Sequence, residues 1–308
     1  MKQKCLIVSF GLLGLTALIF QVVFAKKLML IFGLTAPAVA TVLAVYFAGL
    51  ALGSFIFGRI ADKFSHKLQL IYAIIFLASG VYGLFTPYLF VALGKLIQVI
   101  NHIYPLNFSG FNFFAFLLSF LFLIIPSTLI GGAWPVVSKM FIQASEAIGK
   151  KFSLLYFVDV FGSALGAAMA GFIFLPMLGN RATIILASAI NIIIALSIYF
   201  SKESFAPAGA PVVSNEKEKL LSSNEPVVKN KIFLVVLFVT GFLALALEVI
   251  YTKTLILFIG SSTYAFSLIL VIFLLGMALG SLVAVPLVER LKQNLTYLGS
   301  FFGLLGFV

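Results

Sequence analysis

Apolar residues run in long blocks along this chain, and polar residues gather in the short gaps between them. A helix that crosses a bilayer needs about 20 mostly apolar residues, each adding about 1.5 Å. On that measure the blocks predict spans at 6–25, 38–57, 68–90, 112–138, 152–177, 182–200, 232–252, 264–286 and from 295 onward. The chain therefore divides into a six-span membrane half (1–200), a connection (201–231) and the start of a second half (232–308). The connection is rich in Ser, Pro, Glu and Lys and has no apolar periodicity, which predicts a flexible cytoplasmic linker. The stretch 91–110 is interrupted by Lys95, His102 and Pro105 and predicts an interfacial helix on the outer face. The last block holds only residues 295–308, too few to cross a core of about 30 Å, so the sequence is expected to be a fragment of a longer protein.

One pattern occurs twice. Shifted by 227 positions, 14–54 falls on 241–281 without a gap. Gly33 then meets Gly260, Lys26 meets Lys253, and Gly49, Gly53 and Ser54 meet Gly276, Gly280 and Ser281. Two apolar helices joined by a glycine-marked turn have been duplicated, with room for four spans between the copies. Transporters are commonly built from parallel halves of this kind.

Composition fits an all-α integral membrane protein: 63% of residues are hydrophobic, 9% are charged and mean hydropathy is +1.22. Loop charge sets the orientation. With the N-terminus cytoplasmic, 15 of the 20 Lys and Arg fall inside, and the outer segments hold Lys26, Lys27, Lys95, Arg181 and Lys253. The positive-inside bias predicts that orientation and accounts for the net charge of +11 without a nucleic-acid partner. The first block follows Lys2 and Lys4 but lacks a small-residue cleavage site and recurs internally, so it is expected to stay as a span. Cys5 is the single cysteine and excludes a disulfide within the chain.

Soluble-enzyme chemistry has no foothold here. No Walker lysine loop, Cys/His metal cluster or Ser/His/Asp set is present, and His66 and His102 lie far apart, so no catalytic residue, cofactor or metal is expected. The candidates are the acids inside spans. Glu248 sits among apolar neighbours, where a carboxylate costs several kcal/mol unless it is paired or protonated, and such acids serve proton relays or cation sites. A bond to a neighbouring helix or to Lys253 is the structural alternative. The first copy carries Gln21 at the matching position, so only one half offers an acid there. Asp159, on one helix face with Gly162, Ser163 and Gly166, is the second candidate, and the two acids together could recognise a cation. The pairs Gly49 with Gly53, Gly162 with Gly166, and Gly276 with Gly280 read as close helix packing. Pro126, Pro135 and Pro176 are expected to kink or break their helices; a broken helix can line a cavity, which singles out Pro135 beside Trp134, although an interfacial anchor is the preferred reading of Trp134.

Between the second and third spans stands GRIADKFSHK, 58–67. It resembles the loop signature of the major facilitator superfamily, with Gly58, Ala61, Asp62, Lys63 and Lys67 in register and departures at Ser65 and His66. The resemblance implies an MFS-like bundle in which this cytoplasmic gating loop latches the halves, its Asp paired with basic groups and helix ends. Further blocks extend it: 246–249 (ALEV), 258–266 (FIGSSTYAF), 276–281 (GMALGS), 125–139 (IPSTLIGGAWPVVSK) and 155–179. Together these resemble the membrane part of bacterial fused MFS/spermidine synthase-like proteins. That resemblance implies the bacterial inner membrane, a small cation or polyamine as ligand, and a soluble synthase domain as partner, of which these residues hold no trace. A proton-coupled transporter of unrelated substrate and a non-transporting scaffold for the synthase domain are the alternatives.

Overall fold

The computed structural model describes residues 2–32, 35–103, 107–141, 148–201, 231–260 and 262–291. No strand occurs among them, and the helices are α1 (Lys2–Phe32), α2 (Thr35–Lys63), α3 (Leu68–Ile103), α4 (Phe108–Phe141), α5 (Ile148–Ala168), α6 (Leu175–Phe200), α7 (Lys231–Ile259) and α8 (Ser262–Leu291). The expected linker, apart from its end residues, and the block from 295 onward lie outside the described residues.

Among the described residues seven helical stretches are long and apolar enough to cross a membrane. One of them, Phe152–Phe200, contains α5, a π-helical segment at Met169–Phe174 and α6. Its 49 residues would reach about 74 Å as one straight helix, far beyond a bilayer core. Gly179 interrupts it with φ 74° and ψ 176°, a conformation open to glycine, and divides it into two crossings where the apolar blocks end and resume. Gly260, the repeated turn glycine, has φ 70° between α7 and α8.

The expected interfacial helix over 91–110 is corrected. Residues 91–103 continue α3 without a break, even past Pro87. This 36-residue helix spans about 54 Å, so its end outruns the bilayer core and carries the exposed Lys95 and His102 into the polar zone. Charges that mimicked an interfacial segment mark the protruding end of a span.

The helices pack in pairs: α1 along α5, α2 along α4, α3 along α6, and α8 along α5. One buried cluster joins Phe20, Phe24, Leu28 and Leu93 to Phe266 and Leu270 of α8, and another gathers Phe10, Tyr72, Ile75, Phe76 and Leu155. A buried polar staple ties α1, α3 and α6: Thr16 Oγ1 donates to Asn191 Oδ1 at 2.7 Å, and Asn191 Nδ2 donates to Ser79 Oγ at 3.2 Å. Large apolar side chains such as Phe85, Phe113 and Phe238 stand exposed, as a lipid-facing surface requires.

The first two glycine pairs sit at helix crossings. A Cβ on Gly53 would run into the Thr128 carbonyl, one on Gly49 into Ser127, and those on Gly162 and Gly166 into the carbonyls of Gly11 and Leu15. Gly276 and Gly280 differ: nothing lies within 4 Å of either position. Their reading as packing residues remains an expectation, because the block from 295 onward lies outside the described residues.

The prolines of α4 do not break it. Helix α4 runs unbroken with Pro126 and Pro135 inside, each removing the N–H that would bond the carbonyl four residues earlier. Both freed carbonyls have partners on neighbouring helices. Tyr82 of α3 donates its hydroxyl to the Phe122 carbonyl at 2.5 Å, and Ser54 of α2 donates to the Gly131 carbonyl at 3.1 Å. Pro176 lies in the first turn of α6, where a missing N–H is tolerated.

Candidate functional site

A cavity of about 240 Å³ lies where α1, α2, α4, α5, α7 and α8 converge. Three candidates from widely separated positions line it: Gln21 from α1, Asp159 from α5 and Glu248 from α7. The repeat thus brings its paired positions, Gln21 and Glu248, to one space from two different helices.

Helix α7 explains why Glu248 faces inward. Glu248 and Thr252, one turn apart, are its deeply buried side chains at 5% and 1% exposure, whereas Phe238, Phe242 and Leu257 point outward. An amphipathic helix in water does the reverse. In lipid the apolar face belongs outside and the polar one within the bundle. Thr252 satisfies its own hydroxyl on the Glu248 main-chain carbonyl at 2.8 Å and leaves the carboxyl alone. Glu248 Oε1 is buried without a hydrogen-bond partner, and Glu248 forms no ion pair, with Lys253 or otherwise, among the described residues. The Glu248 to Lys253 alternative is set aside.

Asp159 is held differently. Its Oδ2 accepts the indole N–H of Trp134 at 3.0 Å, across from α5 to α4. A Cβ at Gly14 would stand 2.5 Å from the Asp159 main-chain oxygen and 2.8 Å from both Asp159 Oδ1 and Ser163 Oγ, so glycine there lets α5 approach α1 closely beside the acid. This corrects the reading of Trp134 as an interfacial anchor. Trp134 lines the cavity, with Phe10 edge-on at 5.2 Å and 84° and Tyr156 at 6.1 Å. Its neighbour Pro135 creates the freed Gly131 carbonyl described above, so the α2–α4 contact supports the wall that Trp134 belongs to.

Tyr46, Phe47, Tyr156 and Phe273 complete an aromatic lining that the sequence reading did not single out. Aromatic residues inside apolar spans carry no contrast against their surroundings. No Lys or Arg lines the cavity among the described residues.

The 58–67 segment is mostly helical. Gly58, Asp62 and Lys63 belong to α2, and a 3₁₀ turn, Ser65–Lys67, follows. Asp62 pairs with Lys139 at the end of α4, with both side chains substantially exposed. The acid therefore links two helices of the first 200 residues, and no second-half partner meets it among the described residues. Lys63 lies over the Phe64 ring at 5.6 Å, and Arg59 lies 4.0 Å from the Phe55 ring centroid.

No curated protein and no solved structure matches this chain. The sequence model of the Major Facilitator Superfamily matches residues 6–308, nearly the whole length, and with its bundle of apolar helices the chain belongs to that superfamily of membrane transporters.

Proposed function

We propose that this protein moves a small organic cation across the membrane through the cavity among α1, α2, α4, α5, α7 and α8. The observation that carries the proposal is Glu248, which lines the cavity and whose buried Oε1 has no partner among the described residues. An acid left open in an apolar bundle is costly unless a ligand or a proton completes it, and an incoming cation does so. Asp159, anchored by Trp134, adds a second source of negative potential, and Gln21 offers a neutral polar contact from the equivalent repeat position. The described lining, with two acids and no Lys or Arg among the described residues, favours a cation over an anion.

The positive-inside bias supports a cytoplasmic N-terminus, and with it a cytoplasmic position for Gly58, Asp62, Lys63, Lys67 and Lys139. There the Asp62 to Lys139 pair would brace α2 against α4 as the cavity opens and closes. The bacterial inner membrane, the duplicated halves joined by the 201–231 linker, and kinship with the fused spermidine synthase-like proteins belong to the same proposal and rest on the sequence blocks quoted above.

Flux of labelled organic cations into proteoliposomes tests this reading. Saturable uptake by the wild type that is lost in Glu248→Gln, with equal reconstitution, supports it. Equal retention of cations by protein-containing and empty vesicles would favour the scaffold instead.

A further inference from the structure

The chemistry of the cavity, taken with the cation-site reading on which this step rests, narrows the substrate. Two acids line the cavity, but they are not equivalent. Asp159 already accepts the Trp134 indole N–H, and Glu248 carries the oxygen that no side chain meets. A linear polyamine presents several ammonium groups separated by short methylene chains. Each would have to shed its water, and each would need its own acceptor in an apolar space. Among the described residues the lining offers Asp159, held by Trp134, and Glu248, with a buried oxygen that no side chain meets, and around them a wall of rings. Trp134, Tyr156, Tyr46, Phe47, Phe10 and Phe273 come from five different helices and line the same volume. Ring faces attract a cation whose charge is spread or shielded by carbon, and they bury its apolar body at the same time.

We infer that the substrate is a lipophilic monocation, a tertiary or quaternary ammonium or an equivalent onium ion with an apolar body. Its charge sits at Glu248 and its body against the aromatic wall. A polyamine, the ligand that the resemblance to spermidine synthase-like proteins implies, is the competing outcome.

The chain carries its own reporter, because Trp134 is its single tryptophan and lines the cavity. The experiment follows Trp134 emission in the full chain in detergent while tetraphenylphosphonium, its neutral analogue triphenylphosphine oxide, or spermidine is added. Tetraphenylphosphonium is expected to change the emission saturably. The neutral analogue should bind about tenfold more weakly or less, and spermidine should neither mimic nor displace the onium ion. Glu248→Gln should bring the onium affinity down to that of the neutral analogue. The comparison of the three ligands on the wild type stands even if that variant folds poorly. Spermidine binding more tightly than tetraphenylphosphonium would overturn the monocation while leaving the cation site in place. Equal binding of the charged and neutral analogues, or binding of none of the three, would overturn both.

Discussion

The Tyr82 hydroxyl reaches the Phe122 carbonyl at 2.5 Å, the same carbonyl that Pro126 deprives of its helical hydrogen bond. In the apolar core of a bilayer no water is at hand to fill that vacancy. A side chain from the adjoining helix does, and Ser54 repeats the arrangement at Gly131 for Pro135. Two prolines in a cavity-forming helix are thus accommodated without a break, each by one hydroxyl.

Removing either hydroxyl should therefore cost stability out of proportion to its size. Tyr82→Phe leaves the ring in place and strands the Phe122 carbonyl, with an expected loss of about 1–3 kcal/mol, and Ser54→Ala does the same at Gly131. Thermal unfolding in detergent should show a lower midpoint for both. Pairing Ser54→Ala with Pro135→Ala, which restores the N–H, should recover part of the loss.

Glycine substitutions should separate into two groups. Gly53→Ala and Gly162→Ala drive a methyl into the carbonyls of Thr128 and Gly11 and are expected to destabilise by about 1–3 kcal/mol. Gly276→Ala meets nothing within 4 Å and should be neutral to within about 0.5 kcal/mol. Equal losses at all three positions would mean that a helix packs on α8 where none is described.

The Trp134 to Asp159 contact predicts a coupling measurable by a double-mutant cycle. Trp134→Phe removes the N–H and keeps a ring, while Asp159→Ala removes the acceptor. Hydrogen bonds to charged groups contribute about 1.5–3 kcal/mol, and the cycle should return an interaction energy of that order in the stability of the folded bundle. Additive losses would show that the 3.0 Å contact contributes nothing.

Orientation has a built-in probe in Cys5, the single cysteine, which is exposed near the start of α1. A membrane-impermeant maleimide should label it in inverted vesicles and spare it in intact spheroplasts. The opposite pattern would reverse the topology inferred from Lys and Arg.

Much of the bundle was legible in the sequence because lipid imposes a simple demand, a long apolar run for every crossing. The break at Gly179 fell where two runs met, and the 227-residue shift flagged Gln21 and Glu248 as one position before the cavity joined them. The failures share a cause. Lys95 and His102 looked interfacial because run length does not tell a helix that stops from one that protrudes. Trp134 looked like an anchor because its partner, Asp159, lies 25 residues away on another helix, and nothing along α4 announces which neighbour it faces. Tyr46, Tyr156 and Phe273 were invisible for the reason that makes them suitable: a ring in an apolar span is ordinary until three-dimensional packing turns it toward a shared space. The glycines of 276–280 are not among these failures: they copy a packing motif whose outcome lies outside the described residues.

The central claim is that an organic cation occupies the space at Glu248, and carbodiimide protection tests it most directly. Dicyclohexylcarbodiimide enters apolar sites and modifies carboxyl groups there, and mass spectrometry of the peptide carrying Glu248 reads the extent. Modification of Glu248 in the full chain in lipid, suppressed in a concentration-dependent way by tetraphenylphosphonium, is the predicted result. Modification that proceeds at the same rate with the cation present would contradict the account.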